Sequence, residues 1–339
     1  MAWFRRFWPF WLAFVVLAVL IAWPGRLAYL NHLTVKEAER IVAITPTEVA
    51  AVIPARLSIE RLMADVNWLA APEREGRLAG SAGGLATREY IIQRFEELGL
   101  QPGGSDGYLH PFNTPSTELT ANIIGIIPGT ELKKGKPLKT IVLSAHYDHL
   151  GVHNGQIYHG ADDNASGTAA ILEIARYLME YPNKHPIAIM ALDHEERGLR
   201  GSRALFSTEF LDPNTLAFNL NLDMISRDTN QTLFAVGTYH SPWLAPLIRR
   251  VQQESGVKLI MAHDKPKYKA GYTPDWTNSS DHGPFHQQGI PFIYFGVADH
   301  PDYHQPTDTA DRVDVDFYRA AAETSLSLLL LVDQVLAEK

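Results

Sequence analysis

Side chains able to bind a metal ion or move a proton fall just after runs that read as buried strands. His146 and Asp148 follow Thr140–Ser144, Glu195 and Glu196 follow Pro186–Leu192, and Asp223 follows Leu216–Leu222. Tyr303 and His304 lie in the polar loop after Pro291–Phe295, and Asp163 sits in Gly160-Ala-Asp-Asp-Asn-Ala-Ser-Gly167, on the loop after the first strand. A single acid after a strand is ordinarily a helix cap or a solvated loop residue. Four strand ends that all carry metal-competent groups are harder to explain that way. Two His and three or four carboxylates form an all-nitrogen and oxygen donor set, suited to Zn2+ or a similar divalent ion. The set is too rich for one tetrahedral zinc, and right for two ions that share a bridging carboxylate.

Such groups must be held at one edge of a sheet. A buried, β-branched strand that ends in His and Asp and leads into a helix places them at the carboxyl edge, where open α/β sheets bind their ligands. Further strands are predicted at Asn122–Ile127 and Thr232–Val236. Helices are predicted at Leu57–Ala70, Leu85–Leu98 with Gly99 as its stop, Ala165–Met179, Pro242–Ser255 and Val313–Leu336, with a short one at Asp281–Gln288. Strands that alternate with helices argue an α/β fold, with a mostly parallel, mixed central sheet and helices on both faces.

At 339 residues the chain can bury a sizeable core. The net charge of −8 and the lack of a Lys/Arg block argue against a nucleic-acid partner. With no cysteine, disulfides, thiolate metal sites, Cys nucleophiles and lipidated Cys anchors are excluded. An uncharged run of 17 residues, Phe7–Trp23, follows Arg5 and Arg6 and is about 25 Å long as a helix. It ends in Trp23-Pro24 rather than a small-residue cleavage site, so a transmembrane anchor is expected, with a cleaved signal as the alternative. The arginines favour an inside amino terminus, and hence a catalytic part outside the cytoplasm. An exported soluble protein is the alternative. The expected organisation is an anchor at 1–24, a connector at 25–56 with one helix at Val35–Ile44, and a globular domain at 57–339.

The motifs HYDHLG, GADDNASG, EERGLRGS, NLDMIS, SDHGPFHQQGIP and YHQPTDT occur in this order. Together they resemble the co-catalytic zinc aminopeptidase family, which also contains glutamate carboxypeptidase II, the transferrin receptor and the glutaminyl cyclases. The resemblance covers roughly Leu57 to Lys339 and implies a zinc exopeptidase fold of the phosphorylase/hydrolase-like type. It implies that His146 and Asp223 bind one zinc, Glu196 and His304 the other, and that Asp163 bridges them. Asp148 would hold the His146 ring by its other nitrogen, Glu195 would be the general base, and the Tyr303 hydroxyl would support the oxyanion. The implied reaction is attack of a zinc-bound hydroxide on the amino-terminal peptide bond of a peptide. A cis Asp163–Asn164 peptide bond is also implied. His149, His153, His159, His194, His282 and His286 match no ligand position. Asp193 and Asp308 would support the site, and Glu75 and Arg77 would be structural. No large insertion lies between Phe112 and Lys139, which favours a compact aminopeptidase over carboxypeptidase-like relatives. A glutaminyl cyclase and a carboxypeptidase or dipeptidase of the same fold are the alternatives, and a binding module without activity is the non-enzyme one.

Overall fold

The computed structural model describes residues 55–114, 119–266 and 273–338, together with His32, Lys36 and Lys269. The expected anchor at 1–24, nearly all of the connector and its helix at Val35–Ile44 lie outside the described residues. The chain divides into two compact units. One comprises 45–264 and 276–339 and holds every candidate site residue; the other comprises 1–44 and 265–275.

The first unit opens with helix α1 (Ile59–Leu69), whose cap Ser58 accepts from the Arg61 N–H, and helix α2 (Ala82–Leu98), which Gly99 stops at φ 77°. The strands that follow are β1 (Gln101–Pro102), β2 (Leu109–Pro111), β3 (Ala121–Ile127), the hairpin β4 (Leu132–Lys133) and β5 (Lys136–Pro137), β6 (Thr140–His146), and the hairpin β7 (Gly151–His153) and β8 (Gln156–Tyr158). Helix α3 (Gly167–Glu180), β9 (Ile187–Leu192), helix α4 (Arg200–Ser207), β10 (Leu216–Leu222) and β11 (Thr232–Val236) come next. The unit closes with helix α5 (Ala245–Gln252), β12 (Lys258–Met261), helix α6 (His282–Gln287), β13 (Phe292–Gly296) and helix α7 (Val315–Ala337).

Nine strands make one sheet in the order β1-β3-β9-β6-β10-β13-β11-β12, with β2 beside β3. The four central strands β9, β6, β10 and β13 run parallel. On either side of them β3 pairs antiparallel with β9 and β11 pairs antiparallel with β13, while the edge strand β12 runs parallel to β11. The sheet is therefore mixed, with a parallel centre of four strands and one further parallel pair, β11 and β12, at its edge. Alternation along β6 shows how the faces are used. Ile141, Leu143 and Ala145 point into the larger core with α1, α2, α3, α5 and α7, while Val142 joins the smaller core with Leu205 of α4 and Phe285 of α6. The smaller face also carries a buried polar file: Asn219 donates to Ser144 (2.9 Å), Ser144 to Asn221 (2.8 Å) and Asn221 to Ser280 (2.9 Å).

Helix α7 is long and apolar enough to cross a membrane. Its Phe317, Tyr318, Leu326, Leu329 and Val332 are nevertheless buried in the larger core. Near its end Asp333 accepts from the Lys184 and His185 N–H groups and lies against the His185 Nδ1, each at 2.8 Å, tying α7 to the segment before β9. Burial opposes ionisation of Asp333, but these hydrogen bonds outweigh it and hold its pKa below the ordinary 3.8. Its contribution is therefore present above the unfolded-state pKa and lost as pH falls through the folded one. Asp333→Ala is expected to lower unfolding free energy by about 2 kcal/mol at pH 7. Denaturant unfolding of both proteins, repeated near pH 3, should show the gap shrinking; a gap of constant size would refute this account.

Candidate metal centre

Because β9, β6, β10 and β13 lie side by side and parallel, their carboxyl ends open on one edge, and the segments leaving them carry the predicted residues. His146 closes β6, Asp223 follows β10, Glu195 and Glu196 lie just past β9, and Tyr303 and His304 follow β13. Asp163 arrives on a tight turn at 161–166, and the Asp163–Asn164 peptide bond is cis. Asn164 donates to Leu222 O (2.9 Å) and accepts from the Gly167 N–H (2.9 Å), so the turn is locked onto β10 before α3 begins. A side chain at Gly167 would fall 2.5 Å from Leu222 O, which explains the glycine there. His194, Met224 and His304 all hold positive φ, of 58°, 57° and 53°, where the chain turns off its strands.

The structure brings the five predicted ligands together. His146 Nε2 lies 3.3 Å from Asp163 Oδ1 and 3.2 Å from Asp223 Oδ1. His304 Nε2 lies 3.1 Å from Asp163 Oδ2 and 3.2 Å from Glu196 Oε2. Asp163 thus offers one oxygen to each group. A tetrahedral ion with bonds of about 2.0–2.1 Å separates its donor atoms by roughly 3.3 Å, so both groups are spaced as such ligands are. Among the described residues, His146–Asp163–Asp223 and His149–Asp163–Glu196 each bring one ligand atom per residue to within 4.8 Å of the others.

Charge supports the same fit. Burial disfavours a proton on His146, yet Asp223 and Glu195 raise its pKa well above the ordinary value. Burial likewise opposes a charge on His304, but Asp163 and Glu196 push it up to about 10. Carboxylates this dense call for positive charge, which two cations can supply in place of the histidine protons. Only 1 % of the His146 side chain is exposed against 36 % of His304, so the centre opens to solvent on the His304 side.

Glu195 and Glu196 diverge. Glu196 faces His149 and His304. Glu195 has its N–H held by Asp148 Oδ1 at 3.0 Å. Burial first, and then Asp223 and Asp281, raise the Glu195 pKa well above the ordinary value against the pull of His146. Tyr303 stacks on His304 with ring centroids 3.9 Å apart, and its hydroxyl pKa is raised by burial and by Asp163. Asp148 lies against the Nδ1 side of the His146 ring: its backbone carbonyl is 3.1 Å from Nδ1, and its carboxylate, which also receives the Glu195 N–H, stands 3.7 Å away.

The supporting residues fall where they can hold this frame. Asp308 accepts from the N–H groups of Asp162 and Asp163 at 3.1 Å. Buried Arg77 donates to the carbonyls of Leu69, Tyr147, His159 and Gly160 at 2.7–3.0 Å, joining the segments on either side of the ligands. Burial lowers its pKa to about 10. Glu75 is exposed. Asp193 accepts from the Ala121 and His194 N–H groups. His153 and His159 bond to the Leu150 and Ala70 carbonyls, away from the centre. His282 bonds the Trp276 carbonyl, and burial lowers its pKa to about 3.

Sequence reasoning leaves the surroundings of four residues open. Asp162 turns from the centre to bond Ser226 (2.7 Å), with His300 Nε2 at 3.0 Å. Asp281 is fully buried, and that burial pushes it up to about 7. Tyr294 reads as one more apolar strand residue, yet its hydroxyl occupies the space a side chain at Gly296 would fill. His149 lies in the same motif as His146, and its Nδ1 is 2.7 Å from Glu196 Oε1; the HYDHLG spacing was the one available signal.

Comparison with known proteins agrees with this picture. The sequence profile of Peptidase family M28 matches residues 122–329. Aminopeptidase YwaD of Bacillus subtilis is 29% identical over 222 residues, covering 61% of this chain. The chain spans only 44% of that relative's length. Among solved structures, a zinc aminopeptidase of Bacillus subtilis aligns with TM-score 0.63 and 17% identity, covering 80% of this chain and 94% of the other. A glutaminyl cyclase of Porphyromonas gingivalis aligns with TM-score 0.60 and 19% identity, covering 81% and 98%. At these identities the two structures establish a shared fold.

Proposed function

As the chain belongs to Peptidase family M28, we propose that it is a two-zinc exopeptidase that removes amino-terminal residues from peptides. The observation that carries the reading is Asp163, whose two oxygens face two separate ligand groups 3.1–3.3 Å away. His146 and Asp223 would hold one ion and His304 and Glu196 the other. Bound there, zinc lowers the pKa of water and polarises a carbonyl. Glu195 then takes a proton from the attacking water at a carboxylate oxygen and returns it to the leaving amine nitrogen. Burial strengthens it as a base, and its backbone is fixed by Asp148. The Tyr303 hydroxyl, kept protonated, is a donor for charge developing on the carbonyl oxygen.

Purified protein is expected to release free amino acids from aminoacyl chromogenic substrates, to lose this activity to a chelator, and to regain it with two zinc equivalents. Loss of ammonia from an amino-terminal Gln instead would mark a cyclase, and release from the carboxyl end a carboxypeptidase. We also propose that Phe7–Trp23 anchors the chain, with domain 57–339 outside the cytoplasm. The apolar run supports this, and hydrophobic attachment resists salt. In that case the activity stays with membranes through a high-salt wash, and a chain lacking 1–24 gives it in solution. Release by salt alone would sink the anchor.

A further inference from the structure

His149 is fully buried, and its ring lies beside the centre, close to both Asp163 (3.8 Å) and Glu196. Its Nδ1 stands 2.7 Å from Glu196 Oε1, well inside the roughly 3.3 Å that separates two ligands of one tetrahedral ion. At 2.7 Å the two atoms share a proton. A carboxylate that serves as a ligand only accepts, so Nδ1 is the donor. Nε2 is buried and has no hydrogen-bond partner among the described residues, so Nδ1 is the nitrogen the structure uses.

The ring is fixed in place independently of Glu196. The His149 N–H donates to Arg77 O at 3.3 Å. Gly160 lies flat against the ring: a side chain there would fall 2.5 Å from His149 Cδ2 and 2.6 Å from Cγ. Glu196, by contrast, lies on a turn just past β9, and one rotation of its side chain would exchange the two oxygens or let both face one ion. With Oε1 occupied by His149, only Oε2 is left toward His304.

We propose that His149 is a positioning residue, whose Nδ1–H fixes Glu196 so that a single oxygen is presented to the ion shared with His304 and Asp163. The inference rests on the two-ion reading of the centre. Groups that orient ligands in this way typically change metal affinity by about 10–100-fold. The effect should be confined to one ion, since among the described residues no hydrogen bond or ion pair joins His149 to His146 or Asp223, and the Asp163 oxygen nearest its Nδ1, at 3.8 Å, is the one that faces His304.

The test is a stepwise zinc titration of the metal-free full-length protein against a competing chelator, with the thermal midpoint of the metal-free form measured alongside. In His149→Phe, one of the two zinc affinities is expected to fall about 10–100-fold while the other and the metal-free midpoint stay near wild type. His149→Asn can place an amide N–H where Nδ1 lies and is expected to restore most of the lost affinity. If Phe does not fold at this position, His149→Gln, whose amide reaches the Nε2 side instead, takes its place. Unchanged affinities, equal loss at both ions with a lowered midpoint, or no rescue by Asn would each overturn the proposal alone. A wild-type protein that holds only one zinc would overturn the two-ion reading, and the proposal with it.

Discussion

Glu195→Gln is expected to lower kcat by about 100-fold or more while leaving fold and zinc content almost unchanged. Gln keeps the size of the side chain and the backbone N–H that Asp148 holds. What it removes is a carboxylate that can accept a proton from water and deliver it to the leaving amine. The neighbour gives the contrast: Glu196→Ala should lose one ion, because Glu196 is the residue that faces His304 and His149. Single-turnover rates and elemental analysis on both variants decide the assignment. Near-normal turnover in Glu195→Gln would mean that these two adjacent acids have been given each other's roles.

Asp163→Ala is expected to cost still more, at least about 1,000-fold in kcat/KM, since it removes the one side chain that both ions would share. Neither remaining group has three protein ligands of the predicted set. The turn itself should survive, because its backbone is held from elsewhere: Asp308 takes the N–H groups of Asp162 and Asp163, and Asn164 is bonded to Leu222. The expected result is a folded protein with near-native circular dichroism and fewer than one zinc per chain. Retention of two tightly held ions by this variant would show that the bridge lies on another residue.

The parts of this centre that were legible in the sequence are those governed by local composition. Leu216–Leu222 and Thr232–Val236 are strands over the predicted residues, and Thr140 begins β6 as the apolar, β-branched run from Thr140 to Ser144 implies. The strand ends then fix where His146, Glu195 and Asp223 emerge. What was hidden depends on partners far away in the chain. The antiparallel run of β3 against β9 and of β11 against β13 is set by how the chain returns, and no residue in ANIIGII or TLFAV reports it. Strand β12 was missed because Lys258 opens it and only four residues pair with β11. Asn219 and Asn221 look like polar interruptions of a buried strand until Ser144 and Ser280 are seen to satisfy them. His149 is the same case in miniature: its chemistry depends on Glu196, 47 positions away.

The four central strands are adjacent in space but widely spread along the chain, with His146 and His304 lying 304 − 146 = 158 positions apart. During synthesis the His146–Asp163–Asp223 cluster can form once β10 has been made, whereas the second cluster waits for the segment after β13. A growing chain therefore lacks the second ligand group until its last ligand emerges and β13 docks beside β10. The proposed chemistry is in this way bound to the order of assembly: a copy lacking the segment after β13 cannot cut peptides, and a whole one becomes competent only when β13 is in place beside β10.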